Sequence, residues 1–266
     1  MAIFQPTIYY FGQPVQASAV PGGGPTIRPD TYASSVTVAI PGTQFGSTFG
    51  QTDYRSDISG YINGGTSLTN AEMPLTGTGQ VTSATSNFTG YTTSMSRPNG
   101  TNYGAVTGTT SNINFGANVD FTIEGWMQGT SGTADSWMGF KYNAGWGFFG
   151  WSSAGYWRWV GQNAAFAENL EDYNGLTMTN GTWYHIFLCR SGSTWIGGVD
   201  GTIRASFTFS GAANATGTSA AHQICGWSGA TQRPTLFQDY RVTKGVARYT
   251  GADNSAYTVP QSIVIP

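Results

Sequence analysis

Acidic side chains are the first candidates for chemistry in this 266-residue chain. A glycosidase needs two carboxyl groups flanking the scissile bond, about 5–5.5 Å apart for retention or about 6.5–9.5 Å apart for inversion. Glu124 stands alone on its predicted strand. Other acids crowd into one predicted charged loop at residues 168–172. Because neither segment presents acids alternating along a strand, we predict that the chain is not an enzyme.

Neither the histidines nor the possible oxygen ligands for calcium indicate a catalytic or metal site. Neither His185 nor His222 lies in a nucleophile-elbow sequence, so a serine hydrolase is not expected, and His185 is predicted to be a core residue. Calcium prefers six to eight oxygen ligands. The scattered carboxylates Asp53, Asp57 and Asp239 are predicted to be turn and cap residues instead. We therefore expect no metal and no cofactor.

Tryptophans form the most distinctive group, because six of the nine lie between residues 126 and 159. Aromatic rings in a sandwich fill its core, contact a neighbouring subunit or stack on sugar rings, and the sequence leaves all three roles open. Trp146, Trp151, Trp157 and Trp159 lie on short predicted strands joined by tight turns. These four are the candidate carbohydrate-binding residues, since the turns argue against all of them pointing inward.

Composition limits the partners. Only 9% of residues are charged and the net charge is −2, so no basic footprint for nucleic acid or an anionic membrane surface is expected. No segment reaches the roughly 18 apolar residues of a membrane-spanning helix. The two cysteines, Cys189 and Cys225, are too few for a disulfide framework. They are predicted to be buried free thiols, with a single bridge as the alternative.

The elements that must position these residues are strands. Residues 118–128 alternate between apolar and polar side chains, and turn-rich segments flank them. Residues 182–190 are apolar on both faces, which is typical of a strand buried on both sides. Asp200-Gly201 predicts a tight hairpin. About fourteen short strands without a long helix predict an all-β, two-sheet antiparallel jelly-roll sandwich.

The order of several motifs resembles the concanavalin A-like (LamG-type) jelly-roll domain found in virion structural proteins of tailed phages. The motifs are Asp30, Tyr32 and Val36 on a first strand, a Phe–Asp segment at 49–57, FTIE-x-W at 121–126, Trp183 and His185, an Arg-Ser-Gly-Ser-Thr turn at 190–194, Val-Asp-Gly at 199–201, and the closing decapeptide 241–250. The resemblance covers about residues 30–260. The decapeptide is specific, and the other pieces are individually weak but occur in order.

Several positions depart from the pattern of that family. Thr235 and Gln238 replace a glycine and the first of two consecutive aspartates, which weakens any inherited calcium or ligand site. Gly197-Gly198 stands where bulky strand residues are usual. A glycine pair weakens strand packing unless another backbone or an aromatic ring closes over it.

Residues 1–29 are predicted to be an extended arm outside the sandwich, which then spans 30–266. Five prolines disfavour a central strand in this segment, and a tri-glycine joint follows at 22–24. Six bulky apolar residues need a surface to cover them: Ile3, Phe4, Ile8, Tyr9, Tyr10 and Phe11. The start lacks the basic and apolar regions of a secretory signal.

The resemblance implies a non-enzymatic structural protein of a phage particle, a capsid decoration or tail component with its sandwich on the virion surface. Such a protein assembles in the host cytoplasm, and its expected partners are other virion proteins, held through the arm, and further copies of itself as a homo-oligomer. The alternative is a carbohydrate-binding module that adsorbs the particle to a host glycan.

Overall fold

The structure is a computed structural model, and almost all of its regular elements are β-strands. It describes residues 9–10, 13–14, 25–43, 45, 58–64, 75–76, 81–83, 85–97, 104–107, 115, 119–129, 136–140, 145–163, 168–209, 221–224 and 235–265. Helical structure among these residues is limited to a 3-10 turn at Ala33–Ser35 and the four-residue helix α1 (Ser59–Ile62). No helix in the described part of the chain is long and apolar enough to cross a membrane.

The strands found in these ranges are numbered in chain order. They are β1 (Tyr9–Tyr10), β2 (Gln13–Pro14), β3 (Thr26–Ile27), β4 (Val36–Ile40), β5 (Leu75–Thr76), β6 (Val81–Ser83), β7 (Ser94–Arg97), β8 (Gly104–Thr107), β9 (Phe121–Gly129), β10 (Ser136–Phe140), β11 (Gly145–Ser152), β12 (Tyr156–Asn163), β13 (Glu168–Tyr173), β14 (Trp183–Ser191), β15 (Thr194–Val199), β16 (Thr202–Thr208), β17 (Ala221–Ile224), β18 (Thr235–Lys244) and β19 (Val264–Ile265).

Two antiparallel sheets form the sandwich, which confirms the predicted fold class. The larger sheet has eight strands in the order β16-β15-β14-β9-β18-β7-β6, and β4 pairs with β18 beside this path. The smaller sheet has four strands in the order β10-β11-β12-β13. Strands β17, β8 and β5 form a further small sheet, and β19 pairs with β3.

Strand β9 lies at the centre of the large sheet, between β14 and β18. Its apolar residues Phe121, Ile123 and Met127 alternate and are buried in one core cluster with Trp157 and Trp159 of the small sheet. Each fully buried side chain of this size contributes about 1.5–3 kcal/mol. The apolar side of β9 therefore packs against the four-stranded sheet, and its intervening residues point to the opposite face.

The opposite face of the large sheet is covered by segments near both ends of the chain. One apolar cluster there joins Ile27, Val36, Ile58, Ile263 and other buried residues. A second cluster is built from β14, β15 and β16, and Tyr249 and Tyr257 pack against it. Since both faces are buried, residues 184–190 of β14 are buried throughout, as predicted for this strand.

Two glycine predictions are confirmed. Asp200 and Gly201 both have positive φ, +50° and +84°, as a tight hairpin between β15 and β16 requires. At the glycine pair, a Cβ on Gly197 would lie 2.2 Å from the Trp159 ring. A Cβ on Gly198 would lie 2.4 Å from the Phe187 ring. Aromatic rings therefore occupy the space that the missing side chains leave.

Three local predictions need correction. The charged segment 168–172 is not a loop, because Glu168–Tyr173 forms edge strand β13 paired with β12. Trp183 is only half-buried at the start of β14, so it is not part of the doubly buried stretch. Within the segment predicted to be an extended arm, Pro14 pairs with Tyr9 in a short two-stranded ladder.

The boundary predicted at residues 29 and 30 is also wrong. Thr26–Ile27 pairs with Val264–Ile265, and Ile27 is buried in the terminal cluster. The Arg28 backbone N–H donates to the Ile263 carbonyl at 2.8 Å. Residues 25–29 therefore belong to the sandwich, because their backbone and side chains are bonded to its last strand.

Candidate functional site

Glu124 on β9 is the centre of a buried polar cluster on the covered face of the large sheet. Its side chain is 2% exposed, and its Oε1 accepts from Arg241 Nε at 2.8 Å and lies 2.7 Å from Arg241 Nη2. Arg241 reaches it because β18 bulges between Gln238 and Arg241, with Asp239 at a φ of +49°. The bulge bends the strand and changes the direction of the side chains that follow it.

Asp30 brings the start of the sandwich into the same cluster. Arg241 Nη1 lies 2.8 Å from Asp30 Oδ2, so this guanidinium links the two carboxylates. Arg248 binds Asp30 with both amino groups, at 3.0 and 2.8 Å, and its Nε donates to Thr243 Oγ1. A forked Arg–carboxylate pair is among the strongest polar contacts that proteins form.

Three rings close the other side of Glu124. The Tyr249 hydroxyl donates to Glu124 Oε2. His185 Nε2 lies 3.3 Å from the same oxygen, and its Nδ1 hydrogen-bonds the Tyr257 hydroxyl at 2.9 Å. His185 is fully buried, which confirms its prediction as a core histidine. We call the set Asp30, Glu124, His185, Arg241, Arg248 and Tyr249 the ionic network.

The charges of the ionic network fix its protonation. Burial by itself would raise the pKa of Glu124, but Arg241, His185 and Arg248 outweigh burial and hold this pKa below its ordinary value. Burial also opposes ionisation of Asp30, yet Arg248 and Arg241 lower its pKa. Burial lowers the pKa of His185 despite the adjacent Glu124. At neutral pH the network thus holds two carboxylates, two guanidinium groups and a neutral imidazole.

These protonation states are unsuited to glycoside hydrolysis. A general acid needs a carboxyl group whose pKa is raised towards neutrality, as a hydrophobic pocket provides. Glu124 and Asp30 have the opposite shift, because each is paired with arginine. Their charges are paired with the arginines that link Asp30, β9 and the segment after β18.

Asp239 forms a second polar contact beneath the end of the chain. Its Oδ1 accepts from the Tyr91 hydroxyl at 2.8 Å, and its Oδ2 accepts from the Ile263 backbone N–H at 2.8 Å. The Val264 N–H donates in turn to the Tyr91 hydroxyl at 3.1 Å. Burial raises the pKa of Asp239 to about 7, although both donors favour its ionised form. Asp239 thus ties the C-terminal segment to the bulge of β18.

A cavity of about 500 Å³ opens between the two terminal segments, above the ionic network. We call it the terminal pocket. Its walls are residues 28–32 on one side and 258–263 on the other, with Ile62 of α1 beside them. Four members of the ionic network also line it, namely Asp30, Arg241, Arg248 and Tyr249. Its volume lies in the range of small-ligand pockets, about 300–1,000 Å³.

The structure does not support the predicted tryptophan platform. Trp157 and Trp159 have no exposed surface, and Trp151 is 6% exposed, so these rings cannot stack on a sugar from solvent. The physical reason is parity: Trp157 and Trp159 are two residues apart, and Trp151 pairs directly with Trp157, so all three share one face. The Trp146 side chain lies outside the described residues.

The structure describes only some of the remaining residues that were predicted for the arm, a metal site and the cysteines. Of the arm residues, Ile3, Phe4, Ile8 and Phe11 lie outside the described part of the chain, and Tyr9 and Tyr10 are described only as strand backbone. The described residues contain no group of three or more potential metal ligands. Cys189 is a buried free thiol whose Sγ donates to the Tyr249 carbonyl at 3.0 Å, whereas Cys225 is not described.

Sequence reasoning missed the ionic network. Glu124 was expected to stand alone, because its hydrogen-bond donors Arg241 and Tyr249 come from positions more than a hundred residues away. A signal was nevertheless present. In a chain with so few charges, all six network residues fall within the motifs that carry the resemblance.

No protein-family model and no curated protein matches the chain, but solved structures do. It is similar to the binding domain of Paraclostridial Mosquitocidal Protein 1, with a TM-score of 0.57 at 11% identity, over 80% of this chain and 49% of that one. It is also similar to the receptor-binding domain of the botulinum neurotoxin C/D mosaic serotype, with a TM-score of 0.55 at 12% identity, over 79% and 48%.

A third similar structure belongs to botulinum neurotoxin type C, whose cell entry depends upon interaction with two ganglioside molecules. Its TM-score is 0.50 at 12% identity, over 80% of this chain and 48% of that one. The chain therefore spans about half the length of these structures. At this level of identity the similarity shows the all-β sandwich fold.

Proposed function

We propose that the chain is a non-enzymatic structural protein of a tailed-phage particle, a capsid decoration or tail component that carries a lectin-like sandwich on the virion surface. The observation that carries this proposal is the ionic network. The residues that gave the resemblance to phage LamG-type domains, among them Asp30, Glu124 and Arg241, meet in one buried cluster. They serve the fold, which supports a scaffold rather than a catalyst.

The similar structures support a role in attachment. Two are described as binding or receptor-binding domains, and both share the sandwich over about four-fifths of this chain. A non-catalytic domain that contacts a surface fits this architecture and the low charge of the chain. In this proposal the segment before residue 25 anchors the sandwich to other virion proteins, and copies of the chain form a homo-oligomer.

The direct test is to locate the protein. Purified phage particles carrying the encoding gene should contain the chain at a fixed copy number, measured by quantitative mass spectrometry of the intact particle. Antibody labelling under the electron microscope should place it on the outer surface. Particles that lack the chain, with the protein found free in the host lysate instead, would contradict the structural role.

A second function, glycan binding for host adsorption, is favoured by the terminal pocket. The pocket combines an exposed aromatic ring, Tyr32, with exposed hydroxyl and amide side chains, and this is the chemistry that sugar rings require. A glycan array probed with the full chain should show saturable binding. The two functions are compatible, because a surface protein of the particle can also adsorb it to the host.

A further inference from the structure

The terminal pocket holds one positive charge that the ionic network does not neutralise. Asp30 and Glu124 together balance Arg241 and Arg248, with which they pair. Arg28, on the pocket wall, adds a third guanidinium. Within the described part of the chain Arg28 contacts no carboxylate, so the pocket has an excess charge of one.

Hydrogen bonds to Ser262 also fix the position of the Arg28 side chain and use only part of its N–H donors. Its Nε donates to the Ser262 carbonyl at 2.7 Å, and its Nη2 donates to Ser262 Oγ at 3.3 Å. A guanidinium has five N–H donors, so three remain without an acceptor among the described residues. These contacts fix the side chain across the two terminal segments and leave Nη1 to receive a ligand.

An aromatic ring stands at the opening of the same pocket. Tyr32 is 36% exposed, which makes it one of the most exposed large hydrophobic side chains described. The Arg248 guanidinium lies 5.1 Å from the centroid of its ring and restrains it. The ring lines the same pocket as Arg28, together with the exposed polar residues Thr31, Thr258 and Gln261.

We propose that the terminal pocket binds a saccharide bearing a single carboxylate, with Arg28 pairing with the carboxylate and Tyr32 packing against the sugar ring. This inference rests on the glycan-binding function proposed above and names its ligand class and its site. A single carboxylate matches the single excess charge. The planar fork of arginine binds a carboxylate with two parallel hydrogen bonds.

The pocket itself argues against a ligand with more charge. Each further negative charge would have to draw Arg241 or Arg248 away from Asp30, which both guanidinium groups bind at 2.8 Å. Removing one partner of such a pair leaves a buried charge unmatched. Neutral sugars would use the ring and hydroxyl groups but leave Arg28 without a counter-charge, so they should bind more weakly.

The test is isothermal titration calorimetry of the full chain at low ionic strength with four probes. Sialyllactose and a hyaluronan disaccharide each carry one carboxylate, lactose is the neutral counterpart, and sodium sulfate is a free anion. We expect saturable binding of at least one carboxylated probe, at least tenfold tighter than lactose. Sulfate at the same concentration should not displace it.

Matched variants identify the site. Arg28→Gln should weaken binding of the carboxylated probe about 10- to 100-fold, as loss of a charge-assisted pair does. Arg204→Gln removes the same charge from β16, where Arg204 hydrogen-bonds Asn254, and should change the affinity less than twofold. Tyr32→Ala should weaken binding several-fold, and Tyr32→Phe, which keeps the ring, should bind like the wild type.

Because Arg28 also holds Ser262, Arg28→Lys provides a second variant that keeps the charge and loses the fork. It should bind with intermediate affinity, and the melting temperature of each variant reports its folding. Failure of both carboxylated probes to bind, undiminished binding by folded Arg28→Gln, or equal competition by sulfate would overturn the proposal. Array binding of neutral sugars that survives Arg28→Gln would refute this site while preserving the glycan-binding function.

Discussion

Both faces of the eight-stranded sheet are buried, but the segments that cover them are attached by different sets of interactions. On one face the aromatic and aliphatic side chains of the core cluster pack against the four-stranded sheet, and Trp159 also donates from Nε1 to the Phe187 carbonyl at 2.9 Å. On the other face, two smaller apolar clusters are supplemented by ion pairs and hydrogen bonds that attach the two terminal segments to β9 and β18.

The two faces differ in the kind of contact that joins segments distant in the sequence. On the apolar face many of the packed strands follow one another in hairpins, such as β11, β12 and β13, and hydrophobic packing brings in distant residues such as Val38 and Val242. The polar face joins residues as far apart as Asp30 and Arg248, which are 218 positions apart. Directional contacts fix which segment covers the sheet, whereas hydrophobic packing alone is non-directional.

Trp159→Ala breaks the apolar face and should have the largest effect. The change leaves a cavity over Gly197, where the indole ring now lies, and it removes the bond to Phe187. Large-to-small changes of this kind cost about 3–5 kcal/mol. Urea unfolding at pH 7 measures the loss. Trp183→Ala, at a half-buried position, should cost clearly less; an equal loss in the two variants would contradict the packing described.

Arg241→Leu breaks the polar face and should cost about 3–5 kcal/mol, because it removes the nearest counter-charge of buried Glu124 and leaves Asp30 with Arg248 alone. Arg158→Leu is the matched control. Arg158 pairs with Asp172 at 2.6 Å on β12 and β13, where the side chains are 26% and 33% exposed. Exposed pairs contribute about 0–1 kcal/mol. Similar losses in both variants would show that the ionic network does not stabilise the fold.

Asp239→Asn tests the polar face through the pH dependence of the stability of the protein. Because burial raises the pKa of folded Asp239 to about 7, the folded state holds its proton more tightly than the unfolded chain. This contribution is present at acidic pH and is lost as pH rises from about 4 to 7. The wild type should therefore lose up to a few kcal/mol over that window relative to Asp239→Asn. A constant difference between the two melting curves at pH 4.5, 6 and 7.5 would contradict the assigned shift.

Local patterns were sufficient to predict the apolar face. Alternation along residues 118–128, the doubly apolar run at 182–190 and the Asp200-Gly201 turn specify strands and a hairpin from neighbouring residues alone. The same logic shows why the tryptophan platform was wrong. Trp157 and Trp159 have the same parity, so an argument from alternation places both on one face, and that face is the core.

The polar face could not be predicted in this way. Glu124 meets Arg241 only because β18 pairs with β9 and bulges at Asp239, and no local pattern encodes that register. Proline content suggested that residues 25–29 lie outside the sandwich. The structure instead uses Thr26–Ile27 as a short edge strand beside Val264–Ile265, where few ladder bonds are needed.

If residues 25–29 are part of the sandwich, two truncated chains should differ sharply. A chain starting at residue 30 loses the burial of Ile27 and the bonds of Arg28 to Ile263 and Ser262, which together contribute about 3–7 kcal/mol before the entropy of ordering residues 25–29 is subtracted. A chain starting at residue 25 keeps them. Differential scanning calorimetry should therefore show the second chain melting with the full-length protein and the first several degrees lower. Identical melting temperatures for the two truncated chains would contradict the assignment of the terminal segment to the polar face.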